Sequence, residues 1–289
     1  MHQPDQQPSE VLGKDIRLFQ QTVSDYSTYD FSQYSHTSLR RRLTRILLEF
    51  ETNMEGLTRR MKADPFFLEK IIHKLTVHTT ELFRDPEIWI KIRKDILSSL
   101  ADRSRIRIWH PGCSSGQEVY SMMMLLDTMG MLEKTDIYGT DINPVVIEKA
   151  KTGIYEYRFN ESYLENFNHV ILNNNQTSQG KDRKQWKKYF HVDEAGDVIR
   201  MTGFLRSKAV FQKMDLVMDP NPFLVKFDMI LCRNVIIYFN NELQNKVFDL
   251  FYRNMTNYGV LVLGMHETIL GPFTKRFIKK DLFYLKAPY

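Results

Sequence analysis

From Ile106 onward the chain alternates short apolar runs with helix-compatible stretches, and no other feature restricts its fold as much. Ile106-Arg-Ile-Trp-His110 has strand character and is closed by Pro111-Gly112, after which residues 117–127 are rich in helix formers. A second strand-like run at 136–140 leads into Asp141, and Asn143-Pro144 starts another helix through Val146, Ile147 and Ala150. Strand, helix, strand, helix is the pattern of a parallel sheet wound with helices. Further strands are expected at 209–212, 227–231 and 259–264, with a helix at 241–255 and a closing hairpin within 273–285. The polar run NNNQTSQGKDRK at 173–184 reads as an exposed loop. After it, residues 189–192 and 198–202 flank Asp193-Glu-Ala-Gly-Asp197 as a small inserted hairpin.

The first part of the chain has a different periodicity. Between residues 11 and 100 apolar positions recur at three and four spacing, the signature of helices. Leu39, Leu43, Ile46, Leu47 and Phe50 make one such stripe, with Arg40, Arg41, Arg42 and Arg45 mostly off it. Asp64-Pro65 then supplies an N-cap and a proline at the first position of the next helix. The expected organisation is a disordered stretch at 1–10, a helical domain and linker at 11–90, and an α/β domain at 91–289 carrying the small β-subdomain at about 185–206.

Composition excludes several classes. The chain has 289 residues, 43% of them hydrophobic, which suffices for a sizeable core and argues against wholesale disorder. No run approaches the ~18 apolar residues of a membrane helix, and the start MHQPDQQPSE lacks the apolar core of a secretory signal. A cytoplasmic location without membrane insertion is the expectation, and the Asn-x-Ser/Thr matches at Asn160, Asn175 and Asn254 are then incidental. Two cysteines, Cys113 and Cys232, are too few for a disulfide framework or a four-thiolate zinc site, and no metal is expected. Both read as small packing residues. The net charge of +5 suggests acidic partners.

Four segments carry candidate chemistry. In Trp109-His-Pro-Gly-Cys-Ser-Ser-Gly-Gln-Glu118, Gly112 and Gly116 allow a sharp turn and a ligand against bare backbone, although the spacing departs from the dinucleotide fingerprint and equally suits a plain turn. Asp141 ends the second strand 29 residues after Gly112, placed either to accept hydrogen bonds from a ribose diol or to cap the following helix. Arg233, Asn234 and Tyr238 cluster after the apolar run 227–232, where ligands bind in open parallel sheets. The fourth, Leu75-Thr-Val-His-Thr-Thr-Glu-Leu-Phe-Arg-Asp85, reads by itself as a linker with surface charges.

Taken together and in order, these segments resemble one family, the bacterial chemotaxis-receptor glutamate methyltransferases, CheR, which use S-adenosylmethionine. Tyr29-Asp-Phe-Ser-Gln-Tyr34 with Arg41 and Arg42, the segment ending at Asp85, Gly112-Cys-Ser-Ser-Gly-Gln-Glu-Val-Tyr-Ser121, Cys232-Arg-Asn-Val-Ile-Ile-Tyr-Phe239 and Leu263-Gly-Met-His-Glu267 carry the resemblance. It implies a class I methyltransferase fold, a doubly wound α/β sheet, with an N-terminal all-helical domain and a small inserted β-subdomain. It implies that His78, Thr80, Arg84 and Gly112 line the cofactor site, that Glu118 approaches the methionyl end, that Asp141 holds the ribose, that Asp215 and Leu216 flank the adenine, and that Arg233 and Asn234 close the pocket. Arg84 and Tyr238 are the catalytic candidates, as orienting groups. Arg84 alternatively pairs with the cofactor carboxylate. The chain departs from the family pattern at His78, Leu82, Gln117 and Asp215, where Asn, Phe, Glu and Asn are usual.

The partner implied is the cytoplasmic helical region of chemoreceptors, with Arg40, Arg41, Arg42, Arg45, Arg59 and Arg60, followed by Lys62, as the docking set. Relatives that bind a receptor tether peptide use a longer glycine-containing loop than residues 190–201 offer, so no tight tether binding is expected. Two rival readings are a nucleic-acid methyltransferase and an S-adenosylmethionine-binding signalling module with weakened turnover. The first lacks the Asp/Asn-Pro-Pro-aromatic segment after the fourth strand, where this chain has Asn234-Val-Ile-Ile. No nucleic acid is expected as partner.

Overall fold

The computed structural model describes residues 11–76, 80–158, 162–172 and 186–287. His78, the expected disordered start at 1–10 and the expected loop at 173–184 lie outside the described residues. Two compact units divide the chain: Met1–Val77 with Val235–Val247, and His78–Asn234 with Phe248–Tyr289.

The first unit is helical, as the three-four spacing requires. Its elements are α1 (Gly13–Tyr26), α2 (His36–Glu49), α3 (Met54–Ala63) and α4 (Pro65–Leu75). The stripe Leu39, Leu43, Ile46 and Leu47 is the buried face of α2. Asp64 caps α4 as read from sequence: its Oδ1 accepts the Phe66 and Phe67 backbone N–H at 2.9 and 3.1 Å, with Pro65 following. Such a cap contributes roughly 1 kcal/mol.

The second unit is a doubly wound α/β domain. It runs through α5 (Pro86–Lys91), β1 (Ile106–Pro111), α6 (Gln117–Thr128), β2 (Thr135–Asp141), α7 (Pro144–Thr152), β3 (Ile154–Glu156), α8 (Ser162–Ile171), β4 (Phe190–Asp193), β5 (Val198–Met201), α9 (Gly203–Arg206), β6 (Ala209–Lys213), β7 (Phe227–Cys232), the part of α10 (Asn241–Asn254) from Phe248 on, β8 (Met255–Leu263), β9 (Phe277–Lys280) and β10 (Phe283–Lys286), while α10 up to Val247 is counted with the first unit. The main sheet has the order β6-β2-β1-β7-β8-β10-β9. The pairs from β6 to β8 are parallel, and β10 is antiparallel to both its neighbours. β1 and β7 are fully internal strands, so every side chain of Phe227–Cys232 is buried, which is why that run shows no alternation. Trp109 on β1 packs its ring 5.1 Å from Phe227 and 5.6 Å from Phe251.

The expected hairpin is β4 and β5, but it belongs to a three-stranded sheet of order β3-β5-β4. β3 escapes a sequence reading because three residues following α7 directly cannot show a period of two. The strand order reverses between β1 and β7, since the chain first builds outward through β2 and β6 and then returns. The crevice outside the carboxyl ends of β1 and β7 is therefore the place where such a sheet binds ligands.

Candidate functional site

At that crevice the turn after β1 is unusually contorted. Gly112, Ser114 and Gly116 all have positive φ, at 72°, 50° and 89°. A Cβ on Gly116 would lie 2.8 Å from the Ala150 Cβ, so glycine is needed both for the backbone angle and for the approach of α6 to α7. The turn is held by Asp141 at the end of β2. Its Oδ2 accepts the Ser114 N–H at 2.8 Å and its Oδ1 accepts the Asn143 N–H at 3.0 Å. Asn143 itself caps α7, accepting the Val145 N–H at 2.8 Å. Asp141 is thus a brace between two loops and not the helix cap. The Asp141 carbonyl accepts the Met214 N–H at 2.9 Å, which brings the start of the post-β6 loop, with Asp215 and half-buried Leu216, beside the end of β2. Asp215 Oδ1 accepts the Val217 N–H at 2.8 Å, closing an Asx turn.

A buried charged cluster links the other half of the crevice. The Arg233 side chain, 1% exposed, directs Nη2 to Asp85 Oδ2 at 2.6 Å and to the Arg84 carbonyl at 3.0 Å, and Nη1 to Glu118 Oε2 at 3.1 Å. Glu118 Oε1 meets His110 Nδ1 at 3.0 Å. Burial pushes the Glu118 carboxyl up, but the His110 hydrogen bond and the Arg233 guanidinium outweigh it, and the group is held below the usual carboxylate range.

The segment carrying Arg84 is strapped onto this cluster. Phe83 and Asp85 on either side both occupy the left-handed region, at φ 51° and 55°. Strain of this kind, about 1–3 kcal/mol per residue, persists only where surrounding contacts impose it. Here the contacts are explicit: the Phe83 N–H donates to Ser121 Oγ at 2.8 Å, the Leu82 carbonyl accepts from Asn166 Nδ2 at 3.1 Å, and the Arg84 carbonyl accepts from Trp89 Nε1 at 3.0 Å. The half-buried Arg84 guanidinium forms no ion pair among the described residues. Thr80, also half-buried, begins this segment.

The structure thus joins Arg84, Glu118 and Arg233 in one cluster and Gly112, Asp141 and Asp215 along the neighbouring strand ends. Asn234 follows with φ 60°, and its N–H donates to Glu267 Oε2 at 2.8 Å, an oxygen that also accepts the Gly264 N–H at 2.7 Å. Glu267 and His110 were not singled out from sequence. Each stands inside a quoted motif, but neither spacing nor residue type reveals that a buried carboxylate or imidazole holds the loop beside it.

Tyr238 and the expected docking arginines belong to the first unit. Arg40, Arg41 and Arg45 are exposed on α2, as expected. Arg42 is not: it turns inward, donates through Nη1 to the Leu75 carbonyl and stacks 4.1 Å over the Tyr238 ring. Burial lowers its pKa below the usual value, with the Tyr238 phenol opposing. Exposed Arg59 pairs with Glu55 at 3.2 Å, and Arg60 lies 3.9 Å over the Phe67 ring.

A family model described as CheR methyltransferase, SAM binding domain, matches residues 78–282. The "Putative methyltransferase Cher3" of Pseudomonas putida is 33% identical over 265 residues, covering 91% of this chain and 92% of that protein. Proteins named chemotaxis protein methyltransferase align at 28% identity over 280 residues in Listeria monocytogenes (96% of this chain, 98% of the relative) and at 31% over 214 residues in Borreliella burgdorferi (71% and 69%). The crevice fits the group in the family's description. Ser114 Oγ is buried in the contorted turn without a hydrogen-bond partner among the described residues, and so is Arg233 Nε. Orphaned buried polar atoms of this kind mark a place that a polar ligand completes. By the extent of the match and by this architecture, the chain belongs to the CheR methyltransferase family, whose sheet domain binds S-adenosylmethionine.

Proposed function

We propose that the chain is a protein-glutamate O-methyltransferase acting in the cytoplasm, methylating glutamate side chains in the helical cytoplasmic region of chemoreceptors and releasing S-adenosylhomocysteine. The observation that carries this reading is Arg84, held between two left-handed residues with its guanidinium left out of the ion-pair cluster that anchors its own backbone. A side chain presented at such cost is one kept for a ligand. The names of the relatives in Listeria and Borreliella support the setting in chemotaxis.

The residues suit a reaction without proton transfer. A glutamate carboxylate, with reference pKa ~4.3, is already ionised at neutral pH and needs no general base. S-adenosylmethionine, when bound, supplies the methyl group on a sulfonium. Opposite charges are neutralised as methyl moves, so a dry site with in-line placement supplies most of the help. Arg84 and Tyr238 orient the reacting groups. Thr80 lines the cofactor site from the linker, Glu118 holds the methionyl end, Asp141 the ribose, and Asp215 with Leu216 the adenine, while the Gly112 turn offers bare backbone to the ligand. Asn234 closes the site. Arg233 contributes from behind, by fixing Glu118 and the Arg84 strap.

Incubation with radiolabelled S-adenosylmethionine and receptor cytoplasmic domains should release alkali-labile volatile methanol. Label that stays fixed in alkali, or that appears on nucleic acid, overturns the reading. For docking, Arg41 and Arg45 are the residues to change, because both are exposed and neither is tied into the core. Arg41→Glu with Arg45→Glu should lower kcat/KM for receptor roughly tenfold at low salt, mainly through slower association, and leave S-adenosylhomocysteine affinity unaltered. Unchanged methylation at low salt would remove α2 as the docking face. The β4–β5 connection is closed tightly, with Asp193 Oδ1 accepting the Gly196 N–H at 2.9 Å. Isothermal titration with a receptor tail peptide should therefore give no measurable heat, and a micromolar Kd would contradict that expectation.

A further inference from the structure

We infer that His110 is a positioning residue for the methionyl end of the cofactor, acting by fixing one oxygen of the Glu118 carboxylate while Arg233 fixes the other. The inference rests on the reading of Glu118 as the methionyl contact and adds how that contact is set.

His110 lies at the end of β1, one residue before the Pro111-Gly112 turn, and is fully buried. Its Nδ1 is 3.0 Å from Glu118 Oε1, and Arg233 Nη1 is 3.1 Å from Glu118 Oε2. The two partners come from different strands, β1 and the end of β7, so the carboxylate is held in place and in rotation. Glu118 stands in the first turn of α6, where a negative charge is favoured by the helix dipole. The same neighbours keep Glu118 ionised to lower pH than usual. An ionised carboxylate only accepts hydrogen bonds, so the proton of this contact resides on His110 Nδ1.

Nε2 is buried with no partner among the described residues. Within Trp109-His-Pro-Gly112 the nitrogen that donates is therefore Nδ1, aimed at one carboxylate oxygen. Without that donor, Glu118 is held only from the Arg233 side and turns toward it, away from the orientation in which it meets an ammonium group.

The test compares two ligands by calorimetry. S-adenosylhomocysteine carries the amino-acid end, and 5′-methylthioadenosine carries the same nucleoside and sulfur without it. His110→Leu should weaken S-adenosylhomocysteine roughly tenfold, the scale of one hydrogen bond to a charged group, and leave 5′-methylthioadenosine unchanged. His110→Asn, whose amide N–H falls near the position of Nδ1, should restore most of the loss. Equal weakening of both ligands, or of neither, overturns the inference. Glu118→Gln separates the two layers: if it also leaves S-adenosylhomocysteine binding intact, the reading of Glu118 fails, and if it weakens that ligand while His110→Leu does not, only the role of His110 fails. Should the His110 variants not fold, nitrogen-15 NMR of the wild-type chain decides, since a ring carrying a proton on Nδ1 is expected and a ring protonated at Nε2 alone overturns the inference.

Discussion

Arg84→Ala is expected to lower kcat/KM for methyl-ester formation by about a hundred- to a thousandfold, the scale of losing one preorganised charged donor from an active site. The melting temperature should stay close to wild type. The structural reason for that separation is specific. What the core takes from Arg84 is its backbone carbonyl, which accepts from Trp89 Nε1 and Arg233 Nη2 at 3.0 Å each, and alanine retains it. The guanidinium has no ion-pair partner to abandon among the described residues. Near-wild-type turnover would take Arg84 out of the site. A KM effect with unaltered kcat would instead assign it to binding, including the pairing with the cofactor carboxylate.

The second large effect should fall on stability. Arg233→Met removes one partner from a buried cluster and strands the carboxylates of Asp85 and Glu118, an arrangement that costs about 3–5 kcal/mol. For a domain of this size the melting temperature should fall by roughly 10 °C. Lysine should not rescue, because its single ammonium cannot span Asp85, the Arg84 carbonyl and Glu118 as the planar fork does. The cluster also has a pH signature. Glu118 is held charged to lower pH in the folded chain than in the unfolded one, so its contribution is complete at neutral pH and is lost as pH falls below the usual carboxylate range. Arg233→Met should flatten that acid limb in thermal melts followed by circular dichroism. A variant as stable as wild type, with an unaltered acid limb, would show that the cluster does not hold the strap.

The residues legible in sequence are those whose chemistry is local. Asp64-Pro65 and Asn143-Pro144 announce helix starts because a cap acts within two or three residues, and both caps form. The α2 stripe is legible because its period of three and four is a property of one helix. The strand alternation from Ile106 onward, with apolar runs too short for helices, leads to the parallel sheet. Where the geometry depends on partners distant in sequence, the reading stops. β3 is three residues long and exists only through β5, which lies 42 positions on in the register Glu156↔Val198. Arg42 shares its residue type and helix with Arg41, and only Tyr238 and the Leu75 carbonyl distinguish it. Asp141 reads equally as helix cap or ribose acid until the Ser114 N–H appears on its carboxylate.

By itself, the sequence determined the alternating α/β class, most of the strands of the main sheet and the residue types available at its carboxyl edge. These follow from periodicity and from motif spacing, both of which are written along one dimension. Only the tertiary structure decided which charges are spent on architecture and which are left for chemistry. Arg233 and Glu118 neutralise each other in the core, His110 holds Glu118 by a buried contact, Glu267 accepts the Asn234 and Gly264 backbone N–H groups, and Arg84 is kept out of the ion pairs by a strap with two left-handed residues. A buried charge is tolerable only beside its partner, and partnership across strands is set by how the sheet is wound.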